Sequence, residues 1–262
     1  MNLKIAVLAL LPLLMLSAIF AQEEEANITQ VIITTDLNSP DMYTATAAGS
    51  LEGSPVLTTT DGIIDENVTE IIEDTGATEI VLVGGTSVIS EDVEADLVNK
   101  GYNVVRLWGI ERTKTALEVA KYFWHKAKCA VLVRDTTSAE ADSDVQMEAS
   151  SLAATNGCPL IPIPKEKVPA EVLSTLSDLN VTDVTYVGEE DLETDSEDEL
   201  SDFNLTKFIG VKKAIRRRIA EKILADNDKL IIVAAPEWKY ALGIGINNNN
   251  GTLIRRVKEV SE

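Results

Sequence analysis

Short runs of Val, Ile and Leu recur along the chain, and many are apolar at consecutive positions, as in Val81-Leu82-Val83. A strand with one face in solvent would alternate between apolar and polar residues. The runs therefore predict strands that are covered by helices on both faces, as in a parallel sheet. The predicted strands are Val31–Thr35, Pro55–Thr59, Glu79–Val83, Asn103–Leu107, Cys129–Arg134, Pro159–Ile163, Asp183–Val187, Leu205–Ile209, Leu230–Ala234 and Leu253–Val257.

The stretches between these runs have the patterns of helices. Ser90 is placed to cap a helix whose first turn holds Glu91 and Asp92, and Gly101 follows that helix as a stop signal. Residues 112–127 carry apolar side chains at helical spacing. This alternation of strand and helix predicts an α/β fold made of repeated Rossmann-like or flavodoxin-like modules, with parallel sheets flanked by helices.

An internal repeat of about one hundred residues runs through the sequence. Gly-Ser-Pro-Val-Leu at 53–57 is echoed by Gly-Cys-Pro-Leu-Ile at 157–161, and Leu-Val-Gly at 82–84 by Tyr-Val-Gly at 186–188. A third copy begins near Leu230 and stops early. The predicted organisation is a first module at residues 28–127, a second, divergent module at 128–227, and a partial third module at 228–262.

The first 21 residues have the order of a secretory signal peptide. A positive charge at Lys4 precedes an apolar run from Ile5 to Phe20, and the small residue Ala21 stands before a polar segment. We expect cleavage after Ala21 and an extracellular, cell-surface or envelope location. The alternative, an uncleaved anchor, requires a longer apolar span. No other stretch reaches that length, so we expect no integral membrane span after cleavage.

Composition narrows the classes of partner. The formal net charge is −20 at pH 7, which opposes binding to nucleic acid and to anionic lipid. Behind an export signal, Asn-x-Thr sequons predict N-glycosylation. The five candidates are Asn27, Asn67, Asn180, Asn204 and Asn250.

The two cysteines of the chain are predicted to form a disulfide. Cys129 opens one predicted strand and Cys158 immediately precedes the next. If these strands are parallel neighbours, about 4.8 Å apart, both sulfurs lie at the amino edge of the sheet and within reach of each other. Together with His125, the only histidine, the cysteines show no spacing typical of a metal site.

Signals of catalysis are missing from the sequence. There is no Gly-x-Ser-x-Gly elbow and no phosphate-binding Gly-x-x-x-x-Gly-Lys loop. We therefore predict no enzymatic activity, no cofactor and no metal, while a hydrolase with an unrecognised site stays a third possibility. Residues 189–202, of which nine of fourteen are acidic, are interpreted as a solvated excursion, and the basic residues of 212–222 as its partners rather than as a polyanion-binding face.

Four stretches of the first module together resemble a known family. They are an Asp-led, alanine-rich helix start at 38–48, Ser-Pro-Val-Leu-Thr at 54–58, a strand followed by Gly-Gly at 80–90, and Arg-Leu-Trp-Gly-Ile-Glu-Arg-Thr-Lys-Thr-Ala at 106–116. In this order they resemble the cell wall binding repeat 2 family of bacterial and archaeal surface proteins. The second module departs from the pattern, since Glu189 stands at the position of Gly85, and Lys213 and Arg216 at those of Arg112 and Thr115.

The resemblance implies three modules around a pseudo-threefold axis, held on anionic wall polymers. The favoured function is a secreted, non-catalytic cell-surface protein that binds an envelope polymer or glycan. The alternative is a structural component of a surface layer or extracellular assembly that self-associates, with a homo-oligomer completing the partial module. The ligand-binding candidates are Asp41, Gly84, Gly85, Arg106, Arg112 and Thr115. Arg112 has a second interpretation, an ion pair with a carboxylate such as Glu111 or Asp36.

Overall fold

A computed structural model describes residues 28–35, 39–59, 62–135 and 143–226. The first four strands and helices are β1 (Gln30–Thr35), α1 (Ser39–Glu52), β2 (Val56–Thr59), α2 (Glu66–Thr75), β3 (Glu79–Val83), α3 (Glu91–Asn99), β4 (Asn103–Leu107) and α4 (Arg112–Phe123). The next are β5 (Cys129–Arg134), α5 (Ser143–Asn156), β6 (Leu160–Ile163), α6 (Ala170–Asp178), β7 (Asp183–Gly188), α7 (Thr194–Glu199), β8 (Asn204–Ile209) and α8 (Lys212–Asp226). The predicted leader, the last two predicted strands, the partial third module, Asp36, Asn27 and Asn250 lie outside the described residues.

The strands form two four-stranded sheets with the same order. The first sheet runs β2-β1-β3-β4 and the second β6-β5-β7-β8, and all neighbours pair in parallel. This is the start of the flavodoxin-like order, in which the direction of strand addition reverses after the first strand pair. The predicted α/β fold with repeated, parallel, helix-flanked sheets is therefore confirmed.

The apolar pattern of the strands explains their burial. Along β3, Val81 and Val83 belong to the larger apolar core, while Ile80 and Leu82 belong to a second core on the opposite face. All four side chains are fully buried. A strand in this position has no solvent face, which is why its sequence shows no alternation.

The eight predicted strands within the described residues are observed with bounds that differ by at most one residue. The predicted helix at 112–127 is shorter, because α4 ends at Phe123. Trp124 has extended backbone angles and its indole donates to the carbonyl oxygen of Gly157 at 2.8 Å. The Ala127 amide donates to the Leu179 carbonyl oxygen at 2.9 Å. Contacts with the second sheet's layer thus end the helix early.

The two repeats pack through matching helices. Helix α1 lies against α5, and α4 lies against α1 on one side and against β6 and α6 on the other. The hydroxyl of Ser50 donates to the Ala154 carbonyl oxygen at 3.0 Å, and that of Ser150 to the Tyr43 carbonyl oxygen at 2.9 Å. Thr113 donates to the Pro162 carbonyl oxygen at 2.8 Å. Residues of both repeats share the larger core, while the bounds of the predicted modules stay a prediction.

Candidate functional site at the carboxyl edge of the first sheet

The Gly-Gly turn after β3 brings three of the predicted ligand-binding residues together. Gly84 has φ 134°, a conformation that other residues rarely adopt. A Cβ on Gly84 would lie 3.0 Å from Val88 Cγ2 and 3.7 Å from a carboxylate oxygen of Asp41. Asp41, in the first turn of α1, is 4% exposed. The turn therefore needs glycine because of this backbone conformation and because Val88, in the loop before α3, leaves little room for a Cβ.

Arg106 holds this turn from the neighbouring strand. Its guanidinium pairs with Glu94 at 2.8 Å and donates to the carbonyl oxygens of Gly84, Ile89 and Ser90 at 3.0, 2.9 and 3.3 Å. The side chain is 8% exposed. One planar group thus satisfies the backbone between β3 and α3, where Ser90 caps the helix as predicted. A ligand contact by Arg106 stays a prediction.

Arg112 joins the first repeat to the second. Its guanidinium pairs with Asp135, just after β5, at 2.9 Å. Both side chains are partly exposed. An ion pair was predicted with a carboxylate such as Glu111 or Asp36; the pair with Asp135 was not predicted, and Asp36 lies outside the described residues. Thr113, the next residue, donates a hydrogen bond to β6, so the start of α4 contacts the second sheet through two consecutive side chains.

Thr115 shapes the turn between β4 and α4. Its hydroxyl accepts from the Gly109 amide at 3.0 Å and donates to the Gly109 carbonyl oxygen at 3.4 Å. A Cβ on Gly109 would lie 2.3 Å from Lys114 Cβ, so only glycine allows this approach. Thr115 is 3% exposed, which places it under the turn rather than on the surface. Its predicted contact with a ligand stays a prediction.

Trp108 also lies at this edge, although it is not among the predicted ligand-binding residues. A Cβ on Gly85 would lie 3.3 Å from Trp108 Cε3, so the six-membered ring packs against the Gly-Gly turn. Trp108 is nevertheless 48% exposed, and Ile110, two residues on, is 84% exposed. The sequence signal was present, because an aromatic residue stood inside the Arg-Leu-Trp-Gly motif of a chain with only 5% aromatic residues.

Ion pairs connect the loops at the equivalent edge of the second sheet. Arg134 pairs with Glu190 at 2.6 Å, and Lys165 with the same carboxylate at 3.3 Å. Lys207 pairs with Asp191 at 2.9 Å and also with Glu197. Lys207 follows Arg106 by one repeat, and its partner Glu197 in α7 corresponds to Glu94 in α3. The second repeat therefore keeps the tie between strand and helix, but it has ion pairs where the first repeat has the Gly-Gly turn.

This network corrects the interpretation of the acidic segment at 189–202. The segment contains α7, and within it Leu200 and Ser196 are buried at 0% and 1% exposure. Its described partners are Arg134, Lys165, Lys167 and Lys207. Basic residues of α8 make other contacts: Arg216 pairs with Glu148 of α5, Arg217 with Glu221, and Arg218 lies over the Phe208 ring.

Acid should destabilise the second repeat through these pairs. Hydrogen bonds from Arg134 and Lys165 lower the pKa of Glu190, and the hydrogen bond from Lys207 lowers the pKa of Asp191. The unfolded chain then binds protons first as the pH falls. The pairing stabilises the fold above the ordinary carboxylate pKa and is lost as the pH falls through the lower folded-state pKa. We expect the Tm to drop between about pH 5 and about pH 3.

Thermal unfolding across this range checks the expectation, with Lys207→Gln as the comparison. The variant loses the partner of Asp191 and Glu197, so its Tm should depend less on pH than that of the wild type. Because the network is largely exposed, added salt should also flatten the wild-type profile. Equal pH slopes in the two proteins would show that the pairs do not contribute.

Cys129 and Cys158 are joined at the amino edge of the second sheet. Their Cα atoms are 5.3 Å apart and the two residues are separated by 29 positions in the sequence. Cys129 opens β5 and Cys158 precedes β6, its parallel neighbour, which is the arrangement expected from the sequence. A cleft of about 650 Å³ adjoins the bond, lined in part by Trp124, His125, Lys126 and Lys128.

Other predicted features have the following positions. Asn67, Asn180 and Asn204 are exposed. Within the described ranges, no group of three or more His, Cys, Asp or Glu side chains is placed to hold a metal ion. Over the same ranges, no helix has the length and apolar character that crossing a bilayer requires. Glycosylation and the ligand-binding roles stay predictions.

The fold and this edge define a class: a repeated flavodoxin-like α/β protein with a glycine turn and an arginine tie at the carboxyl edge of its first sheet. Residues 5–94 match the family profile described as cell wall binding domain 2 (CWB2). The matched residues are about a third of the chain. The resemblance to the cell wall binding repeat 2 family is therefore confirmed.

Known proteins similar to the chain include solved structures and curated sequences. Cwp6 from Clostridium difficile superimposes with a TM-score of 0.66 at 20% identity, over 76% of this chain and 32% of that one. Cwp8 from the same organism gives 0.65 at 21% identity, over 74% and 33%. Two uncharacterized proteins, from Pyrococcus horikoshii and Pyrococcus abyssi, are each 26% identical over 113 residues. The chain spans about a third of the length of these relatives.

Proposed function

We propose that this protein is a non-catalytic cell-surface protein that binds an envelope polymer or glycan through its α/β modules. The observation that carries the proposal is the match of residues 5–94 to the cell wall binding domain 2 family. The position of the matched turn supports it, because ligands of open parallel sheets bind outside the carboxyl ends of the strands, where strand order reverses. In the first sheet this edge holds the Gly84-Gly85 turn.

The test is cosedimentation of the purified mature protein with native cell envelopes. We expect saturable binding by a protein that remains a monomer in size-exclusion chromatography, together with no release of sugars from envelope polysaccharide. Bovine serum albumin serves as an acidic control protein. Absence of saturable binding contradicts the proposal. Sugar release that one carboxylate substitution abolishes would instead indicate a hydrolase.

A second candidate function is a structural component of a surface layer. It is favoured by the way the repeats pack, since α4 of the first repeat covers β6 and α6 of the second, and α8, the counterpart of α4, lies on α5. Such packing extends in one direction. Concentration-dependent growth of large assemblies in the absence of envelope, measured by light scattering, distinguishes this function from binding as a monomer.

A further inference from the structure

The carboxyl edge of the first sheet carries three exposed apolar side chains, one of them aromatic. Trp108, Ile110 and Ile63 are 48%, 84% and 63% exposed. Trp108 and Ile110 follow β4, and Ile63 follows β2, so all three belong to loops at the carboxyl ends of strands. Gly62, beside Ile63, approaches the Val88 carbonyl oxygen of the loop after β3, since a Cβ on it would lie 2.9 Å away.

Trp108 is held in place by the backbone under it. The six-membered ring packs against Gly85, and a Cβ at that position would be 3.3, 3.8 and 3.9 Å from three of its carbon atoms. The turn itself is fixed by the four contacts of Arg106. About half of the indole therefore faces solvent from a rigid support, so a ligand that packs on it causes little loss of side-chain freedom.

Two uncharged polar residues stand beside this apolar edge. Thr86 and Ser87, in the Gly-Gly turn, are exposed and offer hydroxyl groups. At the second sheet the corresponding loops carry Lys165 and Glu190, which pair with each other. The position of Trp108 is taken there by Ile209, which is partly buried. The aromatic surface is therefore a property of the first repeat alone.

These observations select among possible occupants. A stable contact between two protein copies buries about 1,200–2,000 Å², which three separated side chains do not provide. Copies that each carry a charge of −20 also repel each other, and the same field opposes a polyanion. An exposed aromatic ring beside hydroxyl groups instead suits a ligand with an apolar C–H face and a polar edge. A neutral sugar ring has both.

We propose that Trp108 is the stacking platform for a neutral sugar residue, with Ile110 and Ile63 as separate apolar contacts and Thr86 and Ser87 bonding to sugar hydroxyls. This rests on the proposed function and names its ligand class and contact residue. Because one repeat alone carries the platform, each chain has one such subsite among the described residues.

The test measures binding of the full mature chain to neutral oligosaccharides and, separately, to native envelopes. The probes are cellohexaose, maltohexaose, mannohexaose and chitohexaose, in isothermal titration at low and high salt.

Trp108→Ala should weaken binding at least about tenfold, a typical loss when an aromatic anchor is removed, while Trp108→Phe should stay within about threefold. Ile110→Ser should weaken it less than Trp108→Ala. Val211→Ser, at the corresponding turn of the second repeat and 73% exposed, is the matched control and should leave binding unchanged.

Several outcomes overturn the proposal. They are equal binding by wild type and Trp108→Ala, absence of binding to every neutral probe, and binding only to uronate oligomers that salt abolishes. Self-association that Trp108→Ala removes would assign the edge to a second copy instead. Thermal unfolding verifies that each variant is folded, and Trp108→Phe and Ile110→Ser decide the question if Trp108→Ala is not. If Trp108→Ala still binds envelopes like the wild type, the role of Trp108 is contradicted but the proposed function is not. If the protein binds oligosaccharides but not envelopes, the proposed function is contradicted but the role of Trp108 is not.

Discussion

Replacing Cys129 and Cys158 together by serine should lower the free energy of unfolding by roughly 3–4 kcal/mol. The bond closes a loop between residues 29 positions apart, and chain entropy in the unfolded state rises when such a loop is released. Both cysteines lie at the start of paired strands, so the released loop contains α5, the helix that packs on α1. The packing between the repeats should therefore loosen with the bond.

Urea unfolding of the oxidised wild type, the reduced wild type and the double variant measures this effect. Reduction should shift the wild type to the midpoint of the variant and leave the variant unchanged, which separates loss of the bond from effects of serine. Mass spectrometry of the non-reduced protein provides the complementary check. Two free thiols, or a stability difference below about 1 kcal/mol, would contradict the expectation.

Replacing Arg106 by alanine should cost about 3 kcal/mol of stability. The substitution leaves Glu94 without its described partner and removes the guanidinium donors to the carbonyl oxygens of Gly84, Ile89 and Ser90, in a site where the arginine side chain is 8% exposed. Unpaired buried groups are costly, and the apolar part of the side chain is lost as well.

The matched control for Arg106 is Lys207→Ala in the second repeat. Lys207 ties the corresponding strand to α7, but its side chain is 26% exposed and its partners Asp191 and Glu197 are more exposed still. Water replaces the lost contacts there, so the loss should be clearly smaller. Chemical unfolding of both variants gives the comparison. Equal losses, or an Arg106→Ala variant as stable as the wild type, would contradict the assigned role.

The strands could be predicted because both of their faces are buried, so apolar residues occupy consecutive positions in the sequence. In β3, neighbouring side chains enter different cores, and the sequence shows this as an unbroken apolar run. The cap at Ser90 was equally local, since one side chain satisfies a backbone amide three residues later. The order of strands in the sheets and the packing of α1 on α5 depend on contacts between distant residues, which no local pattern reports.

Side-chain roles at the candidate site were harder to predict than its location. The sequence pattern predicts that Arg106 and Gly84 lie near a sheet edge. The number of carbonyl oxygens around Arg106 depends on the path of the loop between β3 and α3, which contains Ile89, and no local pattern predicts that path. The acidic segment was misjudged because counting charges ignores Leu192, Ser196 and Leu200, which anchor it. Lys207 lies on β8, and its ammonium group comes within reach of Asp191 and Glu197 only when β8 pairs with β7.

The contact that α4 makes with the second sheet joins two unlike surfaces. One repeat contributes the helix after its fourth strand and the other contributes its second strand and the helix after it. Such an interface is heterologous, so it has no twofold axis and cannot be satisfied by a symmetric pair. Each repeat added in the same way presents a fresh helix to the next. The rotation between successive repeats then decides whether a stack of them closes into a ring or continues as an open helix.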